Sequence, residues 1–342
     1  MERYFLGNNT AYGFVGNYEE ELKDKRKVIL LKGGPGTGKS TILKRLAKEA
    51  QARGLDVELW YCSGDPKSLD GVLIKGLNVA VVDATAPHAT GADLPVIKDV
   101  IFDLATSLQK DKLDAHVDEI KRLINCKKHS FMRAYQHLNL AFCHYNNQIA
   151  LEKEGLRDAE IRTVAFEKAA EIAAKSGGEQ GIEKRVRKVF VEAICPQGES
   201  VFFDCFADKS IVVVKGGEAA RKVFFDELKG LVGAGTWILN PLNPHALDGI
   251  LLGDVAIVKD AGIYADKATK VIDLWEFEKG EWQNEIAQER NGVLLEEAFA
   301  VEELNKAREF HLEVEKYFVA AMDFENNNRL FEKIVRETFE VL

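Results

Sequence analysis

The sequence predicts an α/β fold in which a parallel sheet flanked by helices occurs twice, with long helical segments set into each copy. Three observations lead there. Short apolar, β-branched runs end in glycine-rich turns and continue into amphipathic helical patterns. Landmarks of the first half recur in the same order in the second. Beyond each set of landmarks lies a stretch of sustained helical spacing.

The bulk properties set the frame. A chain of 342 residues accommodates one large or two medium domains. Its 46% hydrophobic and 30% charged residues describe a globular protein with a sizeable core. A net charge of −9 gives no support to broad nucleic-acid binding. The five cysteines form no CxxC pair, which argues against a disulfide framework and for a reducing compartment. No apolar run approaches the roughly 20 residues of a membrane span, and MERYFLGNNT lacks the apolar stretch of a signal peptide. A cytoplasmic protein without membrane contact is expected.

Residues 27–41 read KVILLKGGPGTGKST. An apolar strand, Val28 to Leu31, leads into Gly33-Gly34-Pro35-Gly36-Thr37-Gly38-Lys39-Ser40, and a helical pattern of Ile42, Leu43, Leu46 and Ala47 follows. This is GxxxxGK[ST] in its proper setting of strand, loop and helix, the P-loop pattern. Such a loop wraps a triphosphate with backbone N–H groups, so side chains must be missing where the backbone comes close. The following helix start adds positive partial charge. Lys39 is expected to reach the outer phosphates and Ser40 to offer its hydroxyl to Mg²⁺, with Thr41 completing the nucleotide-binding set.

The second requirement is an acid on a neighbouring strand, to hold the metal through water. NVAVVDA (78–84) supplies Asp83 at the end of a buried run. Ala84 follows it, where many ATP-driven motors carry a glutamate, and no NKxD-type guanine-reading motif is present. ATP is therefore expected, with hydrolysis or kinase-like chemistry. Asp65, just after the strand DVELWYCS, is a candidate substrate contact or base; the competing reading is an exposed loop acid. His88, in ATAPHAT after Asp83, is a candidate for facing the terminal phosphate or for structuring its loop. Arg133, Arg185 and Arg187 are weaker candidates for stabilising phosphoryl charge.

From about residue 95 the pattern turns helical. Leu113, Val117, Ile120, Ile124, Lys127, Phe131, Ala134, Leu138, Ala141 and Tyr145 alternate spacings of three and four, and only Lys127 breaks the apolar seam. A second helix over about 157–176, ended by Gly177-Gly178, is expected to fold back on the first as a projecting hairpin. His129, His137 and His144 share the long helix at spacings too wide for one metal, and read as packed or solvated imidazoles.

The second half repeats these landmarks. Lys32, Gly33, Gly34 and Lys39 align with Lys215, Gly216, Gly217 and Lys222. DPKSLDGVLI meets NPHALDGILL, and GLNVAVVDA meets GDVAIVKD. In KGGEAARKVF the groups that would touch phosphate and metal have changed: Ala219 stands for Gly36, Arg221 for Gly38 and Val223 for Ser40. The position of Asp83 falls on Lys259 or Asp260, depending on a one-residue gap. Because PxxLDG survives in both halves, Asp70 and Gly71 are expected to shape a turn rather than to act on substrate.

LGNNTAYGF, LKGGPGTGKST, CSGDPKSLDGV, VAVVDATAPH, FMRAYQHL and HLEVEKYFVAAMDF together resemble a poorly characterised family of bacterial tandem P-loop ATPases. The resemblance covers nearly the whole chain and implies ATP at Gly33 to Thr41 with Asp83 on the metal; the degenerate second loop departs from it. The expected architecture is thus a duplicated P-loop NTPase with long helical hairpin insertions. Residues 1–180 form the active half, with an insertion at about 95–176. Residues 181–342 form the degenerate half, with a helical segment at about 285–340. The expected function is a Mg²⁺-dependent ATPase. The alternatives are a nucleotide or small-molecule kinase, or an ATP-gated switch whose helical arms engage a protein partner.

Overall fold

The computed structural model describes residues 1–87, 91–175, 185–261 and 268–340. The chain begins with β1 (Glu2–Tyr4), a hairpin of β2 (Gly7–Thr10) and β3 (Gly13–Gly16), and α1 (Tyr18–Leu22). Next come β4 (Lys27–Lys32), α2 (Lys39–Ala52), β5 (Val57–Cys62), β6 (Asp65–Ile74), β7 (Val79–Asp83) and β8 (Asp99–Asp103). Helices α3 (Lys110–Asp114), α4 (Val117–Lys153) and α5 (Asp158–Lys175) follow. The series then recurs: β9 (Val186–Val189), the hairpin β10 (Glu192–Cys195) and β11 (Gly198–Val201), β12 (Ser210–Lys215) and α6 (Glu218–Val232). It closes with β13 (Gly235–Leu239), β14 (Leu247–Leu252), β15 (Val255–Lys259), β16 (Ala268–Asp273), α7 (Gln283–Ala320) and α8 (Phe324–Phe339).

Two six-stranded, mostly parallel sheets result, ordered β1-β5-β6-β7-β4-β8 and β9-β13-β14-β15-β12-β16. The two orders correspond strand for strand. So do the directions: β6 and β14 run antiparallel to both neighbours, and every other pairing is parallel. Register settles the ambiguity at Lys259. Leu31 pairs with Asp83 across β4 and β7, and the equivalent Val214 pairs with Lys259 across β12 and β15. Lysine thus stands where the first half has its acid.

The continuous apolar runs of β4 and β12 are explained by burial on both faces. Ile29 and Leu31 pack on α2 through Ile42, Leu43 and Leu46. Val28 and Leu30 turn the other way, into a cluster shared with Ile211, Val213, Ile238 and Val258 of the second sheet. Val212 and Val214 face α6 through Ala220, Phe224 and Leu228. The sheets therefore pack face to face, with helices outside: a four-layer α/β/β/α arrangement.

The seam between halves is symmetric. Phe5 and Phe190, at equivalent positions and both fully buried, exchange backbone hydrogen bonds of 2.9 Å in each direction. The asparagines of LGNNT cross this seam: Asn8 bonds Glu192 O at 3.0 Å and Asn9 bonds Ile194 O at 2.9 Å.

Two expectations need correction. The long helices do not fold back as hairpins within each half. Instead α4 pairs lengthwise with α7, while α5 packs on α6. The α4–α7 pair is antiparallel, since His311 meets Lys127, Glu303 meets Arg133, Glu296 meets His137 and Glu289 meets His144. The shorter helices are exchanged. Ile161, Ala165 and Ile172 of α5 sit in the core of the second sheet, and Ile334 and Phe339 of α8 sit in that of the first. An apolar seam states that a helix has a partner and leaves the partner unnamed, which is why the exchange escaped the sequence.

PxxLDG is not a turn either. Asp70 and Gly71 lie inside β6, and Asp248 and Gly249 inside β14. A Cβ on Gly71 would strike the Trp60 ring, and one on Gly249 would lie 2.8 Å from the Ile257 carbonyl oxygen. The glycines are there because neighbouring strands and side chains come close. Asp70 is buried and accepts a 3.0 Å hydrogen bond from the Tyr18 hydroxyl.

Candidate functional site

The loop between β4 and α2 forms at the edge where β4, β7 and β8 end. Gly36, at φ +69°, occupies a region that L side chains rarely adopt, and a Cβ there would lie 3.0 Å from the Glu315 carbonyl oxygen. Thr37 is fully buried, and its hydroxyl donates to Gly34 O at 2.8 Å, tying the loop across its base. Helix α2 starts at Lys39, so its first N–H groups open into the loop.

Lys39 lies back over the loop. Its ammonium donates to Gly33 O at 2.7 Å and Gly34 O at 2.9 Å, and stands 3.7 Å from Asp83 Oδ2. Asp83 accepts the Thr85 N–H at 2.8 Å through Oδ1, leaving Oδ2 towards the lysine. Ser40 Oγ accepts the Leu69 N–H at 3.0 Å and keeps its proton and a second lone pair. A hydroxyl and a carboxylate so placed fit the protein's share of a Mg²⁺–nucleotide site, in which water and phosphate supply the remaining ligands.

Among the other expected residues, Asp65 opens β6 beside the site. It accepts from the Ser68 hydroxyl at 2.7 Å, and its Oδ1 lies 3.6 Å from Arg308 Nε of α7. His88 lies outside the described residues, as do Gly177 and Gly178. The three arginines are engaged elsewhere: Arg133 with Glu303 at 3.2 Å, Arg185 with Asp24, and Arg187 with the buried pair Glu21 and Glu58. His137 and His144 each meet a glutamate of α7 at 2.6 Å, and His129 contacts Asn125 O on its own helix.

The sequence did not foretell the roof of the loop. Helices α7 and α8 come from the opposite half and lie across it. Phe318 faces Gly34, Val319 faces Gly36, and Asn327 Nδ2 would be 3.1 Å from a Cβ on Gly38. Among the described residues, the buried Asn327 Oδ1 has no hydrogen-bond partner. Glu315 hangs from this roof, and its carboxyl is held below the usual range. The His311 imidazole beside it is the main cause, burial opposes it, and the Gly36 N–H adds to it. Lys127 of α4 lies 3.5 Å from His311 Nδ1. Its break in the apolar seam was the one signal available.

The second loop has the equivalent place in its sheet and a different form. Gly216 keeps a φ of +147°, close to the +149° of Gly33, but α6 begins already at Glu218. The stretch Glu218 to Arg221 is wound into the helix's first turn, as expected of residues that include two alanines and lack glycine. Its N–H groups are capped by carboxylates from outside. Glu278 accepts from Gly217 at 2.7 Å, and Glu152 of α4 accepts from Ala219 at 2.8 Å. Arg221 bonds Gly216 O and Glu218, while Lys222 pairs with Asp226 at 2.5 Å and leaves the loop altogether. Lys259 binds Asp248 at 2.8 Å and Glu192 at 3.1 Å. Burial opposes its charge, but these two carboxylates outweigh burial and hold its pKa above the ordinary lysine value.

No family model matches the chain, and no curated protein or solved structure matches it.

Proposed function

We propose that this protein is a Mg²⁺-dependent ATPase with a single nucleotide site at Gly33 to Thr41, and that its second half is a duplicated P-loop unit without nucleotide chemistry. One observation carries this reading: a glycine loop between a buried strand and a helix, with Lys39 3.7 Å from an acid on the adjacent parallel strand. Loop N–H groups and Lys39 would bind and neutralise the phosphates, so that positioning and electrostatics supply the catalysis. Ser40 and Asp83 would hold Mg²⁺, which would supply positive charge against the phosphates. The second loop is spent as a helix cap, and Lys259 supplies a cation where the metal would need an acid.

The test is ATP binding and turnover in Lys39→Ala. Loss of turnover by about 10²–10³ is expected for removing such a stabilising group; normal binding and turnover would overturn the reading. Phosphate appearing on an acceptor instead of water would move the assignment to a kinase. A switch is the second reading, and the roof favours it: the residues over the loop belong to α7 and α8, so nucleotide would act directly on the arms.

A further inference from the structure

Lys127 occupies a seam position where every other residue of the heptad run is apolar. Its side chain is half-buried, and among the described residues no carboxylate lies within ion-pair distance of it. Its nearest polar neighbour is His311, and His311 Nε2 lies 3.6 Å from Glu315 Oε1. The Glu315 backbone carbonyl lies against Gly36, 3.0 Å from where a Cβ would stand, and the Gly36 N–H helps to keep the carboxyl charged. The row Lys127, His311, Glu315, Gly36 therefore runs from α4 through α7 into the loop. Burial lowers the pKa of Lys127, and repulsion from Lys128 and Lys39 lowers it further. Two ammonium groups close enough to repel are costly unless an anion lies between them. Asp83 faces Lys39 at 3.7 Å, and Glu315 is the carboxylate whose charge favours that of Lys127.

The second half shows what this position binds. Ala219 stands where Gly36 does, and its N–H holds Glu152 Oε2 at 2.8 Å. In both loops, then, a glutamate from the other half's long helix lies at this position: Glu152 bonds the Ala219 N–H, and Glu315 packs against Gly36. In the second half the contact is fixed, because that loop has become a helix. In the first, the N–H belongs to the open cradle that would receive phosphate.

The geometry points to Glu315 as an internal stand-in for the nucleotide's terminal phosphate, and to Lys127 as the residue that contacts this phosphate once it has displaced the carboxylate. This rests on the nucleotide site proposed above and adds a specificity: the site would distinguish a triphosphate from a diphosphate through a cation carried by an arm.

The experiment is equilibrium binding of Mg²⁺–ATP and Mg²⁺–ADP to the full-length wild type and to Lys127→Gln, Lys127→Arg and Glu315→Gln. Lys127→Gln is expected to weaken ATP about tenfold, as for loss of one charged hydrogen bond, while ADP changes little. Lys127→Arg should recover most of the ATP affinity. Glu315→Gln should tighten ATP, since the competing charge is gone. Retained ADP affinity shows that a variant has folded. Equal losses for both nucleotides, or unchanged ATP affinity in Lys127→Gln, would overturn the inference alone. A wild type that binds neither nucleotide would remove the proposed site as well.

Discussion

Gly36 and Ala219 carry equivalent N–H groups to different ends. At Gly36 the backbone needs a positive φ, and the loop stays open. At Ala219 the backbone has turned helical, and the N–H is a capped first-turn donor. This difference was legible in the sequence, because glycine is the residue that adopts such conformations without strain. The choice of Lys259 over Asp260 was not, since a one-residue gap moves the alignment and strand register alone fixes it. Glu297 carries a prediction at the same scale. Burial, with the charges of Glu199 and Glu192, pushes its carboxyl up from 4.5 to about 7. The folded state therefore keeps a proton that the unfolded chain releases. This contribution to stability is complete below pH 4.5 and disappears as pH rises through about 7. Denaturant melts of Glu297→Gln at pH 5 and 8 should show a shallower fall with pH than the wild type; parallel curves would contradict the assignment.

The helices show the second loop serving as a joint. Two carboxylates at the start of α6 satisfy N–H groups and meet the positive end of the helix dipole. Glu152 is buried and also accepts from Gln148 at 2.7 Å, so it fixes the end of α4 on the second half. Glu152→Ala should lower stability by about 1–3 kcal/mol, the cost of leaving a buried donor unpaired, read as a shift in the denaturation midpoint. A change within a few tenths of a kcal/mol would mean that water replaces the carboxylate freely. The heptad seam of α4 was readable because its apolar spacing is sustained. Its pairing with α7 was not, because Ala134, Leu138 and Ala141 suit many facing helices.

Across the whole molecule, each half completes the other. α5 covers the second sheet and α8 the first, while α4 and α7 run between the two loops. The duplicated landmarks announced two similar units, but composition cannot say which sheet a linked helix will cover. Residues 1–180 expressed alone would leave Ile161, Ala165 and Ile172 without their core and uncover the surface of α2 that packs on Ile334 and Phe339. Ile161 and Ile172 each give up about 1.5–3 kcal/mol of burial. The fragment is expected to aggregate alone and to become soluble when co-expressed with 181–342. A monomeric fragment with a cooperative melt would show that the exchange is dispensable.

The reciprocal Phe5–Phe190 contact has a consequence for heredity. Two identical subunits related by such a two-fold contact would carry every substitution twice, so an arginine in place of the loop's last glycine would close both sites together. On a single chain the two positions have separate codons. Arg221 can close one loop while Gly38 keeps the other open, and the closed one is free to specialise as a bearing for the arm that reaches the open one.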